Sequence, residues 1–254
     1  MTTAWMHRAC SIVAACAALV ALSACGGGGS SGDDDGAASP QGYWNDNKTI
    51  AVITTDNEYW GLRTSGTEAV LTHGMLVTTG HSFSGVLDDF LLSATGKTSV
   101  NTSGTFVPRS SLSGSSTSGS GATSTYALRY DTAYEQPATL AKAIGSWQAT
   151  LVTGNTNHLH AMTVASDGQL TMTSRSWARG SSVPATGCVL TGTLTPDPAG
   201  GNFFRITGRL GMTGCGAPNA SVRGMITVNT RGTISAMAGG ILWNGEGMPL
   251  VLTR

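Results

Sequence analysis

From Gly42 onward the apolar residues come in short groups that alternate with Thr, Ser and charged positions, and Gly, Asn, Asp, Ser or Pro stops each group. A period of two is the mark of half-buried strands, because successive side chains point to opposite faces. The pattern predicts strands at 49–55 (TIAVITT) and 58–63 (EYWGLR), joined as a hairpin across Asp56-Asn57. Further strands are predicted at 74–80, 98–107 and 124–131, while 84–92 (SGVLDDFLL) reads as a short helix or a bulged strand. The stretch 109–123 (RSSLSGSSTSGSGAT) is low in complexity, and its centre reads as a long exposed turn.

Pro137 marks a change, after which Leu140–Ile144 predicts one helical turn. Eight strands then follow, at 146–153, 158–165, 169–176, 187–194, 202–211, 221–229, 232–239 and 241–253, the last with a bend. Asp167-Gly168 and Arg231-Gly232 are among the turn pairs. With no helix to carry a crossover, the sheet must be antiparallel. Eight hairpinned strands suit an up-and-down barrel, which leaves no free edge. The halves open alike, on Gly42-Tyr43-Trp44 and on Gly145-Ser146-Trp147. The pattern therefore predicts an all-β, antiparallel protein of two small up-and-down barrel-like units, 41–136 and 137–254, with eight strands in the second. One sandwich or barrel built from both halves is the alternative. The strand before Trp44 is short for a complete first barrel.

The N-terminus follows a different rule. Residues 9–22 (ACSIVAACAALVAL) are apolar and uncharged. That is the length of a secretory h-region, short of the ~20 residues that span a bilayer. The run ends in Leu22-Ser23-Ala24-Cys25, which resembles the lipobox of bacterial lipoproteins. The resemblance implies a signal peptide over 1–24, removed before Cys25, and acyl chains (palmitate among them) on that cysteine. Gly26 follows where an Asp commonly retains such proteins at the inner membrane, so the expected location is the outer membrane, with the lipid as the membrane contact. Residues 25–40 carry no bulky apolar side chain. They read as a disordered Gly/Ser/Asp tether with a reach of about 20 Å.

Composition narrows the function. Only 11% of residues are charged and the formal net charge is zero. No basic stripe is available for nucleic acid, and no polybasic patch for anionic lipid. Beyond the tether the cysteines are Cys188 and Cys215, an even pair in an oxidising compartment. Midway between them lies the turn-rich PDPAGGN (196–202). A hairpin about that turn brings the two sulfurs together as a disulfide. It also sets Leu194 opposite Arg209, so a one-residue bulge is needed to match the apolar faces.

Gly145-x-Trp147, then a strand, then SDGQLT entering a third, resembles the opening of calycin barrels, the superfamily of lipocalins, avidins and small periplasmic protease inhibitors. That resemblance implies a structural role for Gly145 and Trp147, the indole closing one end of the core. A broader pattern is similar to poorly characterised proteobacterial surface lipoproteins. It comprises the lipobox, Tyr130, Tyr134 and Pro137, the GSW entry, Gly187-Cys188 with Gly192-Thr193 and Pro196, and a second cysteine one strand later.

Catalytic chemistry finds little support. GHSFSG (80–85) approaches the G-x-S-x-G elbow around Ser82, but position 84 is Ser, and an elbow needs a strand-to-helix turn. His158 and His160 share one face of a strand with Met162 and Val164, pointing into a barrel mouth, yet no third ligand lies at zinc-site spacing. No cofactor motif is present. The expectation is a non-catalytic binding or structural interaction module at the envelope, whose partner is an envelope protein or a small apolar ligand. A calycin-like carrier of that ligand and a protease-inhibitor-like barrel are the alternatives.

Overall fold

The computed structural model describes residues 38–254 apart from Asn47, Gly66, Thr67, Ala185 and Gly232. The signal segment 1–24, Cys25 and the tether as far as residue 37 lie outside the described residues. The first barrel is built from β1 (Gly42–Asn45), β2 (Thr49–Ile53), β3 (Glu58–Ser65), β4 (Glu68–Met75), the short β5 (Val77–Thr79), β6 (Ser82–Leu91), β7 (Thr98–Val107), β8 (Ser111–Ser118) and β9 (Thr123–Tyr130). Each strand pairs antiparallel with its neighbour, β4 also pairs with β6, and β1 closes the ring by pairing with β9 at Trp44↔Tyr130 and Asn45↔Arg129. Four residues of β1 therefore suffice to complete this barrel. A 3-10 turn, Thr132–Glu135, capped by Asp131, leads to the single helical turn α1 (Leu140–Ala143).

The second barrel is β10 (Gly145–Thr153), β11 (Thr156–Val164), β12 (Gln169–Ala178), β13 (Cys188–Pro196), β14 (Phe204–Leu210), β15 (Ser221–Arg231), β16 (Ile234–Trp243) and β17 (Glu246–Thr253). It is an up-and-down meander closed between β10 and β17 at Gln148↔Thr253. The all-β, two-barrel reading of the sequence is the observed fold.

Individual elements differ from the sequence pattern in instructive ways. The serine-rich stretch is no long turn. Its residues 111–118 form β8, hydrogen-bonded to β7 and β9 along its whole length, with the turn confined to 119–122. Leu112 anchors it in the core. Gly114 leaves room for the Tyr126 ring, whose hydroxyl would lie 2.7 Å from any Cβ there. Segment 84–92 is strand, within β6. The strand placed at 74–80 is two elements broken at Leu76, and most of β4 lies upstream in EAVLTH. The last hairpin turns at Asn244-Gly245, both with positive φ (44° and 79°), and not near residue 240.

Cys188 and Cys215 form a disulfide, their Cα atoms 4.5 Å apart. The register behind the prediction was wrong by three residues. Leu194 pairs with Ile206, and Leu190 with Leu210, so both apolar faces already match without a bulge. Burial of Leu190, Leu194, Ile206 and Leu210 sets that register, and Cys215 reaches Cys188 from the loop after β14. The disulfide therefore ties down a loop and does not staple a ladder.

The two barrels pack against each other through their outer faces. Tyr43, Val52, Trp60, Leu71 and Phe90 of the first meet Phe203, Met225 and Leu242 of the second, with Tyr134 of the connection among them. The backbones approach closely: Gly240 lies under Leu71, and Gly247 under Phe90. At the border of this seam Glu58 is bonded by His73 at 2.9 Å and by Arg223, with Arg205 3.8 Å away. Burial alone would raise the Glu58 carboxyl, but its hydrogen bonds and the Arg223 charge outweigh that and hold it at about 2.

Candidate ligand-binding sites

Each barrel is entered in the same way. Trp44 and Trp147 are fully buried, and each indole N–H donates to the carbonyl four residues upstream, Pro40 at 2.8 Å and Ala143 at 2.7 Å. A buried indole without such a partner would leave a polar group stranded. Ala38 and Pro40, at the end of the tether region, thus lie against the first barrel. On the far side of each indole sits a residue that follows or ends the last strand. In the first barrel it is the Tyr130 ring, edge-on to Trp44 at 5.3 Å. In the second it is the Arg254 guanidinium, 4.2 Å above Trp147 and bonded to the carbonyls of Ile144 and Lys142. Gly145 and Trp147 thereby sit at a closed end, and neither lines the 840 Å³ or the 370 Å³ cavity.

The opposite end of the second barrel is open. A cavity of about 370 Å³ lies there, walled by Met172, Leu190, Leu210, Ile241, Trp243 and Met248. Cys188 and the loop residues Gly216 and Ala217 form one side, so the disulfide shapes the mouth. Thr95 of the first barrel lines it too, and the Gly96 N–H donates to Glu246 at 2.6 Å, fixing that loop over the rim. Ser174, whose hydroxyl donates to the Met248 sulfur, lies within this apolar wall, and Asn244 and Glu246 add polar groups.

His158 and His160 do face inward with Met162 and Val164, all four buried. His158 is held by Thr153 at 2.7 Å and Ser176 at 3.0 Å. His160, opposite Ser174 on the adjacent strand, has no hydrogen-bond partner on either ring nitrogen. Burial, aided by the neighbouring His158, pushes its pKa down to about 4, so the ring is neutral at physiological pH. Among the described residues no group of three or more His, Cys, Asp or Glu is arranged to hold a metal ion. Ser82 begins β6, exposed and paired with Thr79 and Thr105, and GHSFSG forms a β-hairpin where an elbow would need a strand followed by a helix.

The interior of the first barrel was not anticipated from the sequence. It contains a cavity of about 840 Å³ that opens between Asp46, Lys48 and the Ser118–Thr125 turn and descends to Leu76, Phe83, Leu87, Val100 and Leu128. Halfway down, Asp89 binds Arg63 at 2.7 Å and Thr72 at 2.5 Å. Across from it Thr102 meets the Tyr126 hydroxyl at 2.7 Å and Ser116 at 3.2 Å. The signal was present in the alternation: Tyr59, Arg63, Thr72, Asp89, Thr102 and Tyr126 occupy inward positions where a filled barrel would carry aliphatics.

A scan against protein-family models finds no match, and searches of curated proteins and of solved structures find none either.

Proposed function

We propose that this chain is a lipid-anchored, non-catalytic binding protein of the outer membrane, and that the mouth of its second barrel takes a small apolar ligand. The carrying observation is the 370 Å³ cavity walled by Met172, Leu190, Leu210, Ile241, Trp243 and Met248. Cavities of roughly 300–1,000 Å³ with apolar walls and few polar groups are typical ligand sites, and barrel mouths are a usual place for them. The two methionines are unbranched and polarizable, which suits a ligand defined by size and greasiness more than by shape. Anchoring is supported by the Leu22-Ser23-Ala24-Cys25 sequence, and two or more acyl chains give stable membrane attachment. The test for the site uses N-phenyl-1-naphthylamine, a neutral aromatic fluorophore. Saturable one-to-one enhancement, with energy transfer from Trp243, is expected, and Met248→Arg at the rim should abolish it. Fluorescence that does not saturate, or that survives Met248→Arg in folded protein, overturns the site. For the anchor, Cys25→Ala should abolish palmitate labelling, and labelled Cys25→Ala protein would refute it.

A further inference from the structure

We infer that the first barrel is a separate binding site for an uncharged amphiphile, a molecule with a hydroxyl-bearing head and one apolar chain or ring. The inference rests on the first cavity alone and is independent of the second barrel's mouth.

The cavity is graded. Its floor is apolar, formed by Leu76, Phe83, Leu87, Val100 and Leu128. Above the floor lies a belt of hydrogen-bonding groups, and above that the exposed rim. A ligand that fills it must be apolar at one end and polar at the other, because a buried polar group without partners is costly and so is a buried charge. The belt specifies the head. Asp89 and Arg63 are already paired at 2.7 Å, and at the rim the Asp46 carboxylate accepts the Lys48 and Thr49 backbone N–H groups at 2.7 and 2.6 Å. Two carboxylates and two cations line the cavity, so neither sign of charged head gains a net partner.

Hydroxyls are served well by the same groups. Arg63 spends one Nη2 bond on Asp89 and has donors to spare, while each Asp89 oxygen keeps a further acceptor site. A ligand hydroxyl beside this pair accepts from the guanidinium and donates to the carboxylate at once. The Tyr59 side chain lines the same belt, and no hydrogen bond to its hydroxyl is formed by the described residues. Burial pushes that phenol above its ordinary pKa, so it remains a donor. On the other side Thr102, Tyr126 and Ser116 present three more hydroxyls. Aromatic faces from Tyr59, Phe83 and Tyr126 supply flat surfaces for a sugar ring or chain.

The probe is n-octyl β-D-glucoside below its micellar threshold, titrated calorimetrically into the protein. Octanoate, with the same chain and a charged head, and glucose, with the head alone, are the comparators. Saturable one-to-one binding of the glucoside is expected, at least tenfold tighter than either comparator. Val100→Phe and Thr102→Trp, which fill the cavity, should weaken it at least tenfold while thermal unfolding shows a folded chain. No saturation, octanoate binding as tightly as the glucoside, or undiminished binding in a folded filled variant each overturns the inference. Should both variants fail to fold, intermolecular NOEs in the unaltered protein decide it. Contacts from the octyl chain to the Leu87, Val100 and Leu128 methyls support the site, and contacts to Met172 and Leu190 refute it.

Discussion

The two barrels share a plan and differ in what they enclose. Both are closed antiparallel rings, both begin with Gly-x-Trp, and both seat the indole against a carbonyl four residues back. Within the second, Met162, Met172, Leu190, Leu194, Ile206, Ile226, Met237, Leu250 and Leu252 form a packed core with a cavity at the mouth. Within the first, the apolar layer stops at Leu87, Val100 and Leu128, and hydroxyls with one ion pair replace it above. An eight-stranded barrel is wide enough to be either filled or hollow. The side chains at the inward positions decide which, so the two halves share an architecture and differ in their interiors.

The largest effect should come from the matched tryptophans. Truncating a buried aromatic costs about 3–5 kcal/mol through lost burial and the cavity left behind. Trp147→Ala also strips the Arg254 guanidinium of its ring and opens the base of a packed core, so it belongs at the upper end of that range. Trp44→Ala enlarges a barrel that is already hollow and belongs at the lower end. Urea unfolding of both variants checks the order. Equal costs would mean that the difference in filling does not reach the closed ends.

How much of this was legible follows from what each feature depends on. The second barrel could be read because apolar and polar positions alternate along its strands and turn residues separate them. The bend expected within 241–253 is the Asn244-Gly245 turn, a strong two-residue hairpin signal, and it divides two full strands where the pattern gave one bent strand. Residues 111–118 were illegible for a physical reason: Ser and Gly have little strand propensity of their own, and β7 and β9 impose the conformation from either side. The disulfide was found through a register that is not the real one, since the loop after β14 makes up the missing three residues. The polar inward positions of the first barrel could be read, but the volume of neither cavity could, because interior volume depends on register and ring closure together. For His160 the inward direction could be read, but not that both nitrogens would lack partners.

The disulfide is the next device that separates the barrels, since the second has it and the described residues of the first contain no cysteine. Cys188→Ser with Cys215→Ser should cost about 3.5 kcal/mol in the chain-entropy account for a sequence separation of 27. Because the bridge holds Gly216 and Ala217 at the mouth, binding of N-phenyl-1-naphthylamine should fall while octyl glucoside binding does not. A thiol count on unfolded, unreduced protein comes first, and two free thiols would remove the premise.

Acid distinguishes the second barrel from the seam between the two. His160 has a folded pKa of about 4, below its value of 6.5 when unfolded. The unfolded chain therefore binds the extra proton first. The stability tied to neutral His160 is complete above pH 6.5 and is lost as pH falls toward 4, by about 3 kcal/mol in all. Glu58 acts later. Its pKa of about 2 lies below 4.5, so its contribution is present above pH 4.5 and disappears as pH falls toward 2. Urea midpoints measured from pH 7.5 to 3 should decline first in the His160 window. His160→Leu, which also removes two unsatisfied nitrogens, should flatten that part of the curve and raise stability at pH 5. A decline that persists unchanged in His160→Leu would move the cause to another group.

The smallest difference lies in the two entry glycines, and it tests whether the matched motifs are held for the same reason. Gly42 has φ +155°, which side chains rarely adopt, and a Cβ there would also lie 2.6 Å from the Tyr130 ring. That ring is fixed edge-on against Trp44 and cannot swing away cheaply. Gly145 has φ +122°, which side chains rarely adopt, but its nearest obstacle is the Arg254 guanidinium at 3.1 Å, the far end of a flexible chain. Backbone strain acts at both positions, and steric contact adds to it at the first. Both Gly→Ala changes should cost about 1–3 kcal/mol. Double-mutant cycles separate the causes. Gly42→Ala should be relieved in part by Tyr130→Leu, with a coupling of about 1 kcal/mol, whereas Gly145→Ala should remain as costly in Arg254→Met as in the unaltered chain. Coupling of equal size at both positions would show that one steric rule governs both barrels.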